Sequence, residues 1–231
     1  MLYFIVNHEE RQEIRMKYKA VVFDLDGTLL NTLEDLKDAV NAALRSHQMP
    51  ERSLEEVRNF VGNGIAKLIE RSVPDNTGKE EQEEVLRIFC EYYGVHCQDK
   101  TVPYDGILEL LSKLGEEGYR IAVVSNKAHF AVKELIPHYF SNLIPVAMGE
   151  NERAGVAKKP APDMVWKALE ELGCSREEAV YVGDSDVDYE TAKNSGLDFI
   201  GVSWGFRGRA FLEKLGAENI VDNPKEIFEK I

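Results

Sequence analysis

Residues 21–32 read VVFDLDGTLLNT. The apolar, largely β-branched run at its start predicts a buried strand, and two aspartates, Asp24 and Asp26, follow it with a single residue between them. A carboxylate that is buried without a partner is unfavourable. The stretch therefore raises the question of which chemistry needs two acids fixed at the end of a core strand.

The sequence around this stretch predicts a parallel sheet. The strand itself is predicted over 18–25, and downstream of Pro103 strand and helix patterns alternate. Further strands are predicted over 120–124, 143–147, 179–182 and 199–202, and helices over 107–114, 128–138, 163–172 and 187–195. Alternation of this kind is typical of βαβ units with helices on both faces of a sheet. We therefore predict an α/β fold, a doubly wound, mostly parallel sheet that forms a Rossmann-like core.

Helical patterns without strands fill the interval between the first two strands. Apolar residues from Leu33 to Leu44 recur at spacings of three and four, and Ser53 with Glu56 predicts a capping box at the start of another helix. We expect an inserted all-helical cap domain. The predicted boundaries are 1–15 for an N-terminal extension that ends before Met16, 32–101 for the cap, and 16–31 with 102–231 for the core.

Composition narrows the classes of function. The chain has 231 residues, 44% of them apolar, and a net charge of −13. A strongly acidic chain does not predict binding to nucleic acid, and the apolar opening MLYFIV is too short to span a membrane. Three cysteines at unrelated spacings indicate reduced thiols. We expect a cytoplasmic protein, a monomer or homodimer, with no nucleic-acid or membrane partner.

Polar residues follow the ends of several predicted strands, where open α/β sheets bind ligands. Besides Asp24 and Asp26 these are Ser125-Asn126-Lys127, the lysine Lys159, and the motif GDSDVD, which contains Asp184 and Asp188. Taken singly, most of them are equally typical of turns and helix caps. Together they predict an acidic cluster, and acidic oxygen ligands favour a hard cation such as Mg²⁺.

These motifs resemble a known family. DLDGT, the Ser-Asn pair, KPAPD and GDSDVD resemble the four signature motifs of the haloacid dehalogenase-like hydrolase superfamily. VGNGIAKLIERS, PYDGI and WGFRGR resemble the phosphoglycolate phosphatase branch. The resemblance spans residues 18–222 and implies a Rossmann-like core with a helical cap in its commonest position.

The resemblance also implies roles. Asp24 is expected to attack phosphorus and form an aspartyl-phosphate, and Asp26 to protonate the leaving group and then activate water. Ser125 and Lys159 are expected to bind phosphoryl oxygens. The expected Mg²⁺ ligands are the Asp24 and Asp184 carboxylates, the backbone carbonyl of Asp26, and Asp188 either directly or through water.

Substrate contacts are expected from the core and from the cap. In the core, Thr28 and Asn126 are candidates. In the cap, the candidates are Gly62, Asn63 and Gly64 at a helix start, with Lys67 and Arg71 as partners for a substrate carboxylate. An equally good interpretation makes Gly-Asn-Gly an ordinary turn between helices, with both basic side chains facing solvent.

The expected activity is Mg²⁺-dependent hydrolysis of a small phosphate ester, with 2-phosphoglycolate as the favoured substrate. The acid at Asp26 supports this, because dehalogenases of the superfamily usually lack an acid there. A pyrophosphatase or a phosphosugar mutase on the same fold is the alternative. A partner-binding protein without catalysis would be expected to lose at least one catalytic position, and none is lost here.

Overall fold

A parallel sheet of six strands forms the centre of the protein, whose computed structural model describes residues 17–151 and 155–231. The strands lie in the order β5-β4-β1-β6-β7-β8, and every pairing is parallel. They are β1 Ala20–Phe23, β4 Arg120–Ala128, β5 Val146–Glu150, β6 Ala179–Gly183, β7 Asp198–Val202 and β8 Ile220–Val221. This order confirms the predicted doubly wound α/β fold.

Strand β1 is buried on both faces, as its continuous apolar sequence predicts. Val21 and Phe23 pack into one core cluster and Ala20 and Val22 into another, and all four are fully buried. Helices cover both faces of the sheet. On the Val21 face lie α5 Ile107–Glu116 and α6 His129–Phe140, and on the other face α7 Asp163–Leu172 and α8 Asp186–Ser195. A short helix, α9 Arg209–Leu215, follows β7.

Four helices lie within residues 32–101, where the sequence predicts helices without strands. They are α1 Leu33–Ser46, α2 Leu54–Phe60, α3 Ile65–Ser72 and α4 Lys79–His96, and we call them the helical insertion. Ser53 and Glu56 form the predicted capping box of α2. The four helices pack on one another in sequence order, and α1 also packs on α4. Apolar side chains at helical spacing on α1 therefore do form a buried face.

A two-stranded antiparallel sheet, β2 Leu30–Asn31 with β3 Val102–Pro103, joins the helical insertion to the core. The buried Asp35 carboxylate lies beside it and accepts hydrogen bonds from the backbone N–H groups of Lys100 and Thr101. The Thr101 hydroxyl donates to the same carboxylate at 2.8 Å. The chain therefore leaves the core and returns to it at adjacent points.

Some elements differ from their predictions. Strand β4 continues to Ala128, so that Ser125 and Asn126 lie inside it, and β5 begins and ends three residues later than predicted. The short strands β2, β3 and β8 were not predicted, because two residues carry too little periodicity. The N-terminal extension expected at 1–15 lies outside the described residues. Within the described ranges, the structure contains no helix that is both long and apolar enough to cross a membrane.

Candidate active site

The candidate site lies where three neighbouring strands end. In the sheet, β1 is flanked by β4 on one side and β6 on the other, and both pairings are parallel. The carboxyl ends of these strands therefore meet at one edge, at the point where the order of connections changes direction. The predicted polar residues at the ends of β1, β4 and β6 come together there.

A buried lysine links two of the aspartates. The Lys159 ammonium donates to Asp24 Oδ1 at 2.7 Å and to Asp188 Oδ1 at 2.8 Å, and it lies 3.1 Å from the Tyr181 hydroxyl. All four side chains are buried. A lysine this deep in the protein is compatible with folding because carboxylates surround it. Lys159 therefore places a positive charge against both the first and the fourth motif.

Burial and mutual repulsion perturb the acids. Burial raises the pKa of the Asp24 carboxyl to about 7, and the charge of Asp188 adds to this effect while Lys159 opposes it. Burial also raises the pKa of Asp184, with Asp188 and Asp24 contributing. Burial would lower the pKa of the Lys159 ammonium, but Asp188 and Asp24 outweigh it, so that pKa lies above its ordinary value. The site thus favours any additional positive charge.

Asp24, Asp184 and Asp188 form a set of ligands that fits a cation. One carboxylate oxygen from each lies within 4.8 Å of the other two, and all three residues are buried. Like charges at this separation repel one another, and a set made only of oxygens suits a hard ion such as Mg²⁺. The Asp26 side chain is outside this set, and the assignment of its backbone carbonyl as a ligand stays a prediction.

Close backbone packing fixes the Asp184 carboxylate. The Phe206 backbone N–H donates to Asp184 Oδ2 at 2.6 Å. A Cβ atom added at Gly205 would lie 2.3 Å from Asp184 Cβ, and one added at Gly27 would lie 2.6 Å from Asp184 Oδ2. Glycines at both positions therefore leave room for the carboxylate and hold it against the end of β1.

Asp26 faces the helical insertion. Its carboxylate accepts hydrogen bonds from the Lys127 ammonium at 3.0 and 3.2 Å and from the Thr32 hydroxyl at 2.8 Å. The Lys127 ammonium also donates to the hydroxyl of Tyr93, on α4, at 2.6 Å. Asp24 and Asp26 therefore have different neighbours although they are two residues apart, which fits two different roles.

Asn126 connects three parts of the site. Its side-chain amide donates to the backbone carbonyls of Lys159 at 3.0 Å and Gly62 at 3.1 Å, and its Oδ1 accepts from the Lys159 backbone N–H at 2.8 Å. The buried Ser125 precedes it and lines a cavity at this edge of the sheet. Asn126 thus orients the Lys159 loop and holds the helical insertion over it.

The cavity at this edge has a volume of about 50 Å³, enough for a few water molecules. Core residues line its floor, and apolar side chains from the helical insertion line the opposite wall. The lining from the helical insertion comprises Leu36, Val61, Gly62, Gly64, Ile65, Leu68 and Tyr93. Arg207 lines it as well, and its guanidinium donates to the backbone carbonyls of Arg58 at 2.9 Å and Val61 at 2.8 Å.

The structure brings together only part of the predicted set of residues. Asp24, Asp26, Ser125, Asn126, Lys159, Asp184, Gly62 and Gly64 line the cavity, and Asp188 lies behind Lys159. Lys67 instead pairs with Glu70 at 2.5 Å, and the Arg71 guanidinium donates to the carbonyl of Phe60. Neither basic side chain lines the cavity, and neither do Asn63 and Thr28. Among the described residues, the buried Thr28 hydroxyl has no hydrogen-bond partner.

Lys127, Tyr93, Phe206 and Arg207 belong to the site, but the sequence did not predict a role for any of them. Lys127 directly follows the Ser-Asn pair, which was a usable signal. Tyr93 is one of several aromatic residues on α4 and carries no signal of its own, and Phe206-Arg207 stand in WGFRGR, a motif that indicates the family branch and no residue role. The contacts of all four join positions that are far apart in the chain.

Comparisons with known proteins agree with this geometry. A family model described as haloacid dehalogenase-like hydrolase matches residues 21–202. The chain is 30% identical to N-acetylmuramic acid 6-phosphate phosphatase of Pseudomonas aeruginosa over 93% of this chain and 95% of that protein. It is 32% identical to phosphoglycolate phosphatase of Haemophilus influenzae over 82% of this chain and 88% of that protein. A solved structure from Lactobacillus delbrueckii subsp. bulgaricus, provisionally named a phosphoglycolate phosphatase, superposes with a TM-score of 0.88 at 39% identity over 94% of this chain and 99% of that one. The chain belongs to the haloacid dehalogenase-like hydrolase family.

Proposed function

We propose that this protein is a Mg²⁺-dependent phosphatase that hydrolyses a small phosphate monoester, with 2-phosphoglycolate as the favoured substrate. The observation that carries the proposal is the buried cluster in which Lys159 bonds Asp24 and Asp188 while Asp24, Asp184 and Asp188 offer converging oxygens. Relatives named as phosphatases of two different sugar or hydroxy-acid phosphates support the reaction class.

Asp24 is the nucleophile in this proposal. Its carboxylate attacks phosphorus, the bond to the ester oxygen breaks, and an aspartyl-phosphate forms. Its carboxylate is held by Lys159 at 2.7 Å, at the end of a rigid strand. A nucleophile that is already oriented loses little entropy when it reacts.

Asp26 transfers the protons. It gives a proton to the departing ester oxygen, and it then takes one from the water that hydrolyses the aspartyl-phosphate. In this proposal the leaving group departs toward the helical insertion, the side to which the Asp26 carboxylate is turned by its contacts with Lys127.

Positive charge offsets the negative charge of the phosphoryl group. Lys159 supplies a fixed ammonium, and the buried hydroxyl of Ser125 can donate to a phosphoryl oxygen. A bound Mg²⁺, held by Asp24, Asp184 and Asp188, would add a Lewis acid that polarises the phosphoryl oxygens. The helical insertion covers this site as a cap and excludes water.

Phosphate release from 2-phosphoglycolate tests the proposal. Wild-type protein should release phosphate with Mg²⁺ and lose this activity in EDTA, and Asp24→Asn should lower kcat by about 10³-fold or more. Asp186→Asn is the matched control, because Asp186 is an exposed aspartate of the same motif as Asp184. Equal rates for wild type and Asp24→Asn would refute the proposal.

A substrate panel tests the preference. Pyrophosphate is one comparison, and a hexose 1-phosphate with and without a sugar bisphosphate activator is the other, since only a mutase needs the activator. The proposal requires 2-phosphoglycolate to have the highest kcat/KM of the three. A preference for pyrophosphate, or isomerisation instead of phosphate release, would overturn the substrate assignment while leaving the nucleophile in place.

A further inference from the structure

Lys127 is a buried cation for which the proposed reaction has no role. Its side chain is 2% exposed, and its ammonium contacts both oxygens of Asp26 and the hydroxyl of Tyr93. Burial would lower its pKa, but Asp26 and Tyr93 outweigh this effect, so the pKa lies above its ordinary value. A charge in this position is retained only if its partners compensate for the lost hydration.

Tyr93 brings the helical insertion into the same group. It lies on α4 and is 1% exposed, and its ring stacks on Phe89 with the ring centroids 5.4 Å apart. The Lys127 ammonium lies 4.8 Å from the centroid of the Tyr93 ring, besides its hydrogen bond to the hydroxyl. Stacking therefore fixes the tyrosine, and the tyrosine in turn fixes the lysine.

We propose that Lys127 and Tyr93 are positioning residues that hold the Asp26 carboxyl group where it can exchange a proton with the leaving oxygen. The inference rests on the proposed function, because it takes Asp26 as the proton donor. Thr32 holds one Asp26 oxygen and Lys127 contacts both, so the carboxyl group is fixed from two sides. A catalytic group displaced by about 1 Å can lose a hundredfold in rate.

Among the residues that the structure describes, three cations line the cavity, and each has different partners. This difference favours a positioning role over substrate binding for Lys127. Lys159 bonds Asp24 and Asp188, and Arg207 donates to two backbone carbonyls of the helical insertion. Lys127 bonds the proposed acid itself, through both of its oxygens. If Lys127 instead bound a negatively charged leaving group directly, its loss would slow only the substrate that carries such a group.

Three phosphate esters distinguish the roles. 2-Phosphoglycolate has a poor, negatively charged leaving group, 2-hydroxyethyl phosphate a poor, neutral one, and p-nitrophenyl phosphate a good one that departs without a proton. The measured quantity is kcat/KM, which reports the steps up to loss of the leaving group. The variants are Tyr93→Phe, which removes only the hydroxyl and keeps the stacked ring, and Lys127→Met, which keeps the length of the side chain.

Positioning predicts a loss that depends on the leaving group. Tyr93→Phe should lower kcat/KM about tenfold, and Lys127→Met about a hundredfold, on both poor leaving groups. On p-nitrophenyl phosphate each variant should retain kcat/KM within about threefold of wild type, because this leaving group needs no proton. Since Tyr93 acts through Lys127, the double variant should be no slower than Lys127→Met.

Tyr92→Phe is the matched control, because Tyr92 neighbours Tyr93 on α4 but stacks on His96 and does not line the cavity. It should keep wild-type kcat/KM on all three esters. Thermal unfolding of each variant separates misfolding from lost positioning, since equal unfolding temperatures with unequal rates support the proposal.

Other outcomes overturn the inference. An equal loss of kcat/KM on all three esters would mean that Lys127 and Tyr93 have only a structural role. A loss confined to 2-phosphoglycolate would mean that Lys127 binds the negative charge of the substrate. Wild-type protein that hydrolyses none of the three would reject the phosphatase proposal, and the positioning role with it. If the wild-type protein is active and the Lys127 and Tyr93 variants have the same kcat/KM, only the positioning role is rejected and the phosphatase proposal stands.

Discussion

At the scale of single residues, the proposed metal site predicts that the acid at the end of β1 couples cation binding to pH. Asp24 has a pKa raised to about 7, chiefly by burial, and a carboxyl group must lose its proton to hold a cation. Below this pKa the protonated group binds Mg²⁺ poorly, and above it the carboxylate is available. Mg²⁺ affinity should therefore rise at least tenfold per pH unit below about pH 7, because Asp24 must lose its proton and the pKa of the second ligand Asp184 is raised as well.

Isothermal titration calorimetry at several pH values measures this affinity. Titrations at one pH in two buffers with different ionisation enthalpies should reveal the release of a proton on binding. Asp186→Asn should show the wild-type pH profile, because Asp186 is exposed and outside the ligand set. An affinity that is constant between about pH 5 and pH 8 would contradict a raised pKa.

At the scale of secondary structure elements, the buried Asp35 carboxylate holds the start of α1 to the chain that enters β3. Asp35→Asn should destabilise the protein by about 2 kcal/mol, because the new amide turns N–H groups toward the N–H donors of Lys100 and Thr101. Urea denaturation measures the free energy of unfolding. Asp38→Asn on the same helix is the control, and loss of its partly exposed ion pair with Lys100 should cost about 0.5 kcal/mol or less. Equal losses would contradict this account.

The helices were the elements that sequence predicted best. On α1 the apolar spacing is local and repeats several times, and at α2 the capping box needs only Ser53 and Glu56. Strands β2 and β3 were not predicted from the sequence. Their pairing joins Leu30 to Pro103, and a local sequence pattern gives no information about a contact between positions so far apart. The end of β4 was misplaced for a related reason, since polar Ser125 and Asn126 are typical of turns but here are buried by tertiary contacts.

At the scale of the whole molecule, Arg207 joins the core to the helical insertion. Its guanidinium donates to the carbonyls of Arg58 and Val61 at the end of α2. Arg207→Met should accelerate backbone hydrogen exchange around residues 58–64 about tenfold, because two hydrogen bonds from a charged group are lost. Exchange measured by mass spectrometry tests this.

Arg209→Met provides the comparison for that experiment. Arg209 lies two residues further on and pairs with Asp222 and Glu213 at the surface. Its loss should leave exchange around 58–64 unchanged. Equal acceleration in both variants would show that the Arg207 hydrogen bonds do not hold this segment.

The residues of the site that belong to single sequence motifs could be predicted from the sequence. Asp24, Lys159 and Asp184 stand in recognisable patterns. The sheet order brings Asp24 and Asp184 together, and the loop that carries Lys159 reaches the same edge. The contacts of Lys127 with Tyr93 and of Arg207 with Val61 were beyond the sequence, because they depend on how the helical insertion sits on the sheet. That orientation follows from packing between distant segments rather than from local pattern.

The pairing of β2 with β3 has a consequence for the evolution of the segment that is inserted between them. Leu30 and Pro103 are direct partners in an antiparallel pair, so their Cα atoms lie roughly 5 Å apart. A segment of any length whose two ends lie that close could be grafted between them without shifting the register of the central sheet. New substrate preferences can then arise by exchange or remodelling of the grafted segment, while the aspartates and the lysine beneath it stay where they are.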